Sequence, residues 1–367
     1  MKKDCFGTLE DGSQESLPPL QHIYFYLTEG CNLACRHCWV SPKYDADGRM
    51  NFLSVDLFER AIIEGMPLGL SGIKLTGGEP LMHPRFAELL WIARRENLSL
   101  SIETNGVLCT REVAKEISRS HVKFVSVSID GADAKTHEWI RGVPGCFEKT
   151  INGVKNLVSE GIRTQIITTL VRRNAIHIDD LAKMAQDLGA ESIKFNVIQP
   201  TGRGKTFSTD HQYALSVEEL LTLGKYVETK IAPRLHLKVI FDYPYAFRAL
   251  SSIAKGSGRC HIHNIIGVLS DGHYALCGIG YNVPEMIFGE VAATRLCDIW
   301  TENKILLDIR KSLPNDLEGI CGSCLMKKTC MGSCIAQNYY RTQKLFAPYW
   351  FCNEAFKAGL FPETRMK

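Results

Sequence analysis

The 367-residue sequence contains no run of the roughly 18 apolar residues that a membrane-spanning helix needs. Its opening, MKKDCFGTLEDGSQ, lacks the apolar stretch of a secretory signal. Long Lys/Arg runs are missing too, and the net charge is only +3, so the electrostatic footprint of a nucleic-acid binder is absent. The pair Arg172-Arg173 reads as solvated surface. Membrane and nucleic acid are thus excluded as expected partners, and the expected compartment is the cytoplasm. Cysteine, by contrast, is abundant: there are 14. Without an export signal, that count argues against a disulfide framework and for metal or redox chemistry. At 45% hydrophobic and 23% charged, the chain can bury a sizeable core and is expected to divide into two units.

Six β-rich runs, HIYFYLT, IKLTGG, LSIETNG, VKFVSVSIDG, IRTQIITTLV and ESIKFNVIQP, alternate with helix-like runs. The latter carry apolar residues three and four apart, several opening on Ser, Thr or Pro and closing on Gly or Asn. This α/β alternation predicts a parallel sheet with right-handed crossovers, either an open doubly wound sheet or a full or partial (β/α) barrel. Polar and Gly residues gather at the C-terminal ends of the strands: Thr76 to Pro80, Thr104-Asn105-Gly106, and Ser128 to Gly131. In parallel α/β folds that edge carries the site.

After the first strand comes CNLACRHCW, residues 31–39, with Cys31, Cys35 and Cys38. Three close thiolates are one ligand short of a zinc site and of a fully ligated iron–sulfur cluster. Past about residue 245 the alternation stops. Ser270-Asp271-Gly272 marks a hairpin turn bracketed by Cys260 and Cys277, and CGSCLMKKTCMGSC supplies Cys321, Cys324, Cys330 and Cys334 before Cys352. So short and Cys-dense a tail is expected to be held by metal rather than by a hydrophobic core. Four of its thiolates fit one structural zinc, while all seven approach the requirement of two four-Cys clusters.

The loop C-x3-C-x2-C followed by an aromatic, together with Gly-Gly-Glu-Pro after the second strand, resembles the radical S-adenosylmethionine (SAM) superfamily. The tail pattern resembles the SPASM extension of its peptide- and protein-modifying members. That resemblance implies a partial (β/α)6 radical SAM barrel over 22–244, after an N-terminal extension at 1–21, and a small Cys-rich SPASM domain with a β-hairpin over 245–367. It further implies SAM and three [4Fe–4S] clusters. Cys31, Cys35 and Cys38 would ligate the SAM-binding cluster, and SAM would fill its open iron. Cys321, Cys324, Cys330 and Cys352 would hold one auxiliary cluster. Cys260, Cys277 and Cys334 would hold the other, which is one ligand short because SSIAKGSGR before the hairpin offers no thiolate; His261 and His263 are nearby alternatives. By the same resemblance Glu79, in the turn of Gly77, Gly78 and Glu79, would hold the SAM ammonium. His37 would lie near adenine, with Ser128, Asn105 and Arg141 at the ribose and carboxylate; otherwise Arg141 is a surface arginine. Trp39 would pack beside the cluster. Cys5, Cys109, Cys146 and Cys297 are left over as buried or ordinary thiols.

The implied activity is generation of a 5′-deoxyadenosyl radical and post-translational modification of a ribosomally made precursor peptide. A flavodoxin or ferredoxin would donate electrons. Only about 30 residues precede Cys31, too few for a fused leader-binding domain, so a separate leader-binding partner or an exposed strand edge is expected. The alternative is a tetrapyrrole, haem or other small-molecule step. Anaerobic sulfatase maturation would need a carboxylate directly after the second hairpin cysteine, where Gly278 stands. It ranks last, with a non-catalytic iron–sulfur scaffold.

Overall fold

The computed structural model describes residues 17–42, 48, 50–210, 212–254 and 260–367. Cys5, most of the 1–21 extension and residues 255–259 lie outside them.

Seven parallel strands form the body of the molecule: β1 (His22–Tyr26), β2 (Gly72–Thr76), β3 (Ser99–Thr104), β4 (Val122–Ser128), β5 (Thr164–Leu170), β6 (Ser192–Val197) and β7 (Lys238–Asp242). Their crossovers carry α1 (Val55–Gly65), α2 (Phe86–Arg95), α3 (Arg111–Ser118), α4 (Ala134–Arg141), α5 (Cys146–Ser159) and the helix Ile178–Asp187. These parallel strands and their crossover helices make the expected partial (β/α) barrel. The reading of six strands stopped one short, because β7 (KVIFD) stands where the regular alternation ends. Helix α4 also escaped it, having few apolar residues, although its cap signals are present: Asp133 accepts from the Thr136 N–H, and Gly142 closes the helix at φ 77°.

The sheet continues past β1 through β8 (Ile265–Val268), which pairs with it in parallel, then β9 (His273–Ala275) and β10 (Ile287–Glu290), giving ten strands in the order β10-β9-β8-β1-β2-β3-β4-β5-β6-β7. The expected hairpin is β8–β9, turning at Gly272 with φ 85°.

Side-chain alternation divides the strands by chemistry. Ile73 and Leu75, Leu100 and Ile102, Val125 and Val127, and Ile193 and Phe195 are all buried in the core. Phe25 of β1 meets Phe58 of α1 at 4.3 Å between ring centroids, and each such buried ring contributes about 1.5–3 kcal/mol. The alternate positions are polar: Lys74 and Thr76, Glu103, Ser128, Thr169, Lys194 and Asn196 line the concave side.

The tail differs from expectation. Leu317, Ile320, Ile335, Phe351 and Phe361 join the barrel's hydrophobic core, so apolar packing as well as its cysteines holds it. Cys109 and Cys146 are buried thiols, whereas Cys297 is disulfide-bonded, against the expectation of a free thiol. Among the described residues no helix is long and apolar enough to cross a membrane.

Candidate active site

The three-cysteine loop follows β1 and is shaped by what it packs on. Ala34 and Arg36 donate their backbone N–H groups to the carbonyls of Arg141 and Ile140, at 3.1 and 2.9 Å. These are end-of-helix acceptors of α4 that would otherwise lack partners. A Cβ at Gly142 would stand 2.6 Å from the Ala34 carbonyl oxygen, so glycine there both closes α4 and admits the loop. On the other flank the Gly77-Gly78 turn lies against residues 28–30: Gly78 N–H donates to Thr28 O at 2.7 Å and Glu79 N–H to Gly30 O at 3.0 Å. A Cβ on Gly78 would overlap the Gly30 carbonyl.

Cys31, Cys35 and Cys38 line one cavity of about 300 Å³ with His37, Trp39, Gly77, Gly78, Asn105, Ser128 and Arg141. The structure thus brings together the expected loop and all the expected contacts except Glu79. That side chain is fully buried behind the turn. It accepts from Thr104 Oγ1 at 2.7 Å and Leu81 N at 3.1 Å on one oxygen, and from Asn105 N at 2.8 Å on the other. Burial pushes its carboxyl up to about 7, against those three donors. Its visible work is to tie the turn to the end of β3.

Cys31 and Cys35 are electrostatically costly to ionise where they stand. Burial, with Glu79 nearby, pushes Cys31 up to about 12, although Leu33 N–H donates to its sulfur at 3.4 Å. Cys35 is raised by burial too, opposed by Arg141, whose Nη1 lies 3.6 Å from its sulfur. Arg141 is not a surface arginine: it is 7% exposed. Its Nε is 2.7 Å from Asp130 Oδ2, the same oxygen that accepts from His37 Nε2 at 2.7 Å. Burial alone would raise Asp130, yet the Arg141 guanidinium, with His37, holds it well below the ordinary carboxylate range. Asp130 was noted in the sequence only as part of a strand end. The missed signal is an Asp directly following an apolar strand terminus, seven residues before His137.

The cavity runs on toward the tail. A second one, sharing Lys194, Val197, Gln199, Asp242 and Tyr349, is lined also by Tyr24, Lys74, Arg248, Cys260 and Cys334. Cys277 is pushed up to about 12 by burial and then by Cys334. Ion pairs cross this space: Lys74 to Glu103 at 2.8 Å, Lys194 to Asp242 at 2.7 Å and Arg248 to Asp242 at 3.1 Å. Sequence reasoning passed over these residues, although a half-buried Lys inside the apolar strands GIKLT and SIKFNV is the kind of position that carries information. Farther out, Cys321, Cys324, Cys330 and Cys352 ring one apolar void with Leu317, Ile320 and Phe361. Cys321 is lowered by its hydrogen bond with Cys352, which is raised in turn.

Comparison with known proteins places this geometry. Residues 25–185 match the model of the Radical SAM superfamily. The AdoMet-dependent heme synthase of Oleidesulfovibrio alaskensis is 30% identical over 346 residues, covering 90% of this chain and 86% of that protein. The mycofactocin maturase MftC of Mycobacterium tuberculosis is 26% identical over 328 residues, covering 88% and 80%. Among solved structures, Streptococcus suis SuiB bound to precursor peptide SuiA superposes with a TM-score of 0.73 at 18% identity, over 92% of this chain and 76% of that one.

Proposed function

The chain belongs to the radical SAM superfamily, with a C-terminal region of the SPASM type, and from that premise we propose that this enzyme modifies a ribosomally made precursor peptide within the cavity between barrel and tail. The family's cofactors are SAM and a [4Fe–4S] cluster, which when bound supply a 5′-deoxyadenosyl radical that takes hydrogen from substrate.

The donor set fits that cluster. Cys31, Cys35 and Cys38 converge on one cavity, and burial makes Cys31 and Cys35 resist ionisation by themselves, so a metal body that accepts thiolates is what would stabilise them together. Ser128, Asn105 and Arg141 stand on the same wall for the ribose and carboxylate of SAM, and Asp130 fixes the ring of His37. The Glu79 carboxylate, accepting from three donors, holds the Gly-Gly turn against the end of β3.

Cys321, Cys324, Cys330 and Cys352 form the ligand set of one auxiliary cluster, and Cys260, Cys277 and Cys334 that of a second, three clusters in all.

The observation that carries the peptide reading is that the cavity cations Lys74, Lys194 and Arg248 each already have a carboxylate partner, in Glu103 or Asp242. A neutral polar chain can hydrogen-bond there without breaking those pairs, whereas a propionate-bearing tetrapyrrole would have to compete for them. MftC's printed role as a maturase points the same way. A separate leader-binding partner and a flavodoxin or ferredoxin donor complete this reading. Similarity to heme synthases favours a tetrapyrrole step as the second reading.

The deciding experiment incubates the anaerobically reconstituted enzyme with SAM, dithionite and either short peptides encoded beside its gene or an iron tetrapyrrole. A peptide should stimulate 5′-deoxyadenosine formation and change in mass. Stimulation by the tetrapyrrole alone would overturn the peptide reading.

A further inference from the structure

Asp130 and Arg141 form a buried charge pair with no solvent between them, exposed 0% and 7%. Three elements converge on the carboxylate. His37 reaches Oδ2 from the cysteine loop and Arg141 reaches the same oxygen from α4, each at 2.7 Å, while the Thr169 N–H of β5 donates to Oδ1 at 2.8 Å. The guanidinium thus held by Nε at Asp130 extends Nη1 to 3.6 Å from the Cys35 sulfur. Arg141 also sits in the last turn of α4, where the helix dipole presents negative charge.

We propose that this ion pair sets the reduction potential of the cluster held by Cys35, Arg141 raising it and Asp130 lowering it. Adding an electron makes the cluster and its thiolates more negative. A guanidinium at the sulfur stabilises that state, through its charge and an N–H···S hydrogen bond, and an adjacent carboxylate opposes it. Burial keeps both effects strong, since neither charge is screened by water. His37 and Thr169 keep the carboxylate in place, so the opposition is built in. Asp130 is a positioning and charge-setting residue here, not a catalytic one.

This inference rests on Cys35 being a cluster ligand, which the iron content and SAM cleavage of Cys35→Ala test separately. Its own test is a redox titration followed by electron paramagnetic resonance, without SAM, because Arg141 also lines the SAM side of the cavity. Arg141→Gln should lower the reduced-to-oxidised ratio at the wild-type midpoint about tenfold, which is 59 mV for a one-electron couple. Asp130→Asn should shift it by a similar amount in the opposite direction, and the double variant should return toward wild type. A merely structural role would move both single variants the same way or leave both unmoved, and either result overturns the proposal. Should the variants fail to hold iron, pulsed resonance on wild-type protein labelled with 15N-arginine decides. Coupling of a guanidinium nitrogen to the reduced cluster is expected, and its absence overturns the proposal.

Discussion

Replacing Gly78 by alanine adds one methyl group at the point where the Gly-Gly turn meets the segment leading to Cys31. The new Cβ would overlap the Gly30 carbonyl oxygen and stand 2.6 Å from its carbon and 3.0 Å from Glu29 O. All three atoms are backbone, so no rotamer change relieves the clash. The turn must retreat, stretching the Gly78 N–H to Thr28 O bond of 2.7 Å and the Glu79 N–H to Gly30 O bond of 3.0 Å. Overpacking costs about 1–3 kcal/mol, and two weakened backbone hydrogen bonds add about 1 kcal/mol each, for a total of roughly 3–5 kcal/mol. Gly161→Ala is the control. Gly161 has φ 71° but nothing within 4 Å of an added Cβ, so only the left-handed backbone cost of about 1–2 kcal/mol applies. Chemical denaturation of the two apoproteins, with SAM binding to the reconstituted forms, measures both. Gly78→Ala should be the less stable and lose SAM binding, while Gly161→Ala binds normally. Wild-type stability and binding in Gly78→Ala would refute the packing argument for this turn.

Glu79 gives a pH signature. Its buried carboxyl is raised to about 7, above the ~4.3 of an unfolded Glu. The native state therefore binds more protons between those values, and the stabilisation present below pH ~4.3 is lost as pH rises to about 7, on the order of 3 kcal/mol. Apoprotein carrying Glu79→Gln should lose this downward slope in denaturation measured from pH 5 to 8, and an unchanged slope would show that another group causes it. Cys321→Ala should remove about four of roughly twelve irons per chain while leaving SAM cleavage measurable, as iron analysis and product chromatography would show; loss of no iron would return that ring of thiols to an ordinary core. Lys74→Met should leave SAM cleavage intact but weaken peptide turnover by about tenfold, because it removes the cation that neutralises Glu103 in the cavity; equal kinetics with peptide would remove that pair from the substrate's path.

The strands, the three-cysteine loop and the Gly-Gly-Glu turn were legible because each is local: alternation, spacing and turn chemistry all act within a few residues. Asp130 was not, because its meaning lies in partners at positions 37, 141 and 169, which meet only when three crossovers close. Glu79 was legible as a motif, but its burial and hydrogen bonds were not. The sequence cannot show that Thr104, Asn105 and Leu81 would claim both its oxygens. The surface alternative for Arg141 failed for the same reason, since an Arg on a short polar helix is buried only when a carboxylate waits for it. In the tail, cysteine density masked Leu317, Ile320 and Phe351, which continue the barrel's core. Strand β7 was lost because KVIFD is short and charged at both ends, and its terminal Asp242 is the carboxylate that pairs with both Lys194 and Arg248.

The central claim is that Cys31, Cys35 and Cys38 hold the cluster at which SAM is cleaved, beneath a cavity walled by barrel and tail. Its most direct test is anaerobic chromatography of 5′-deoxyadenosine formed from SAM and dithionite by reconstituted wild-type protein and by Cys35→Ala. The wild type should produce it, and Cys35→Ala should produce none while keeping about eight irons per chain in the tail. Formation at the wild-type rate by Cys35→Ala would contradict the account.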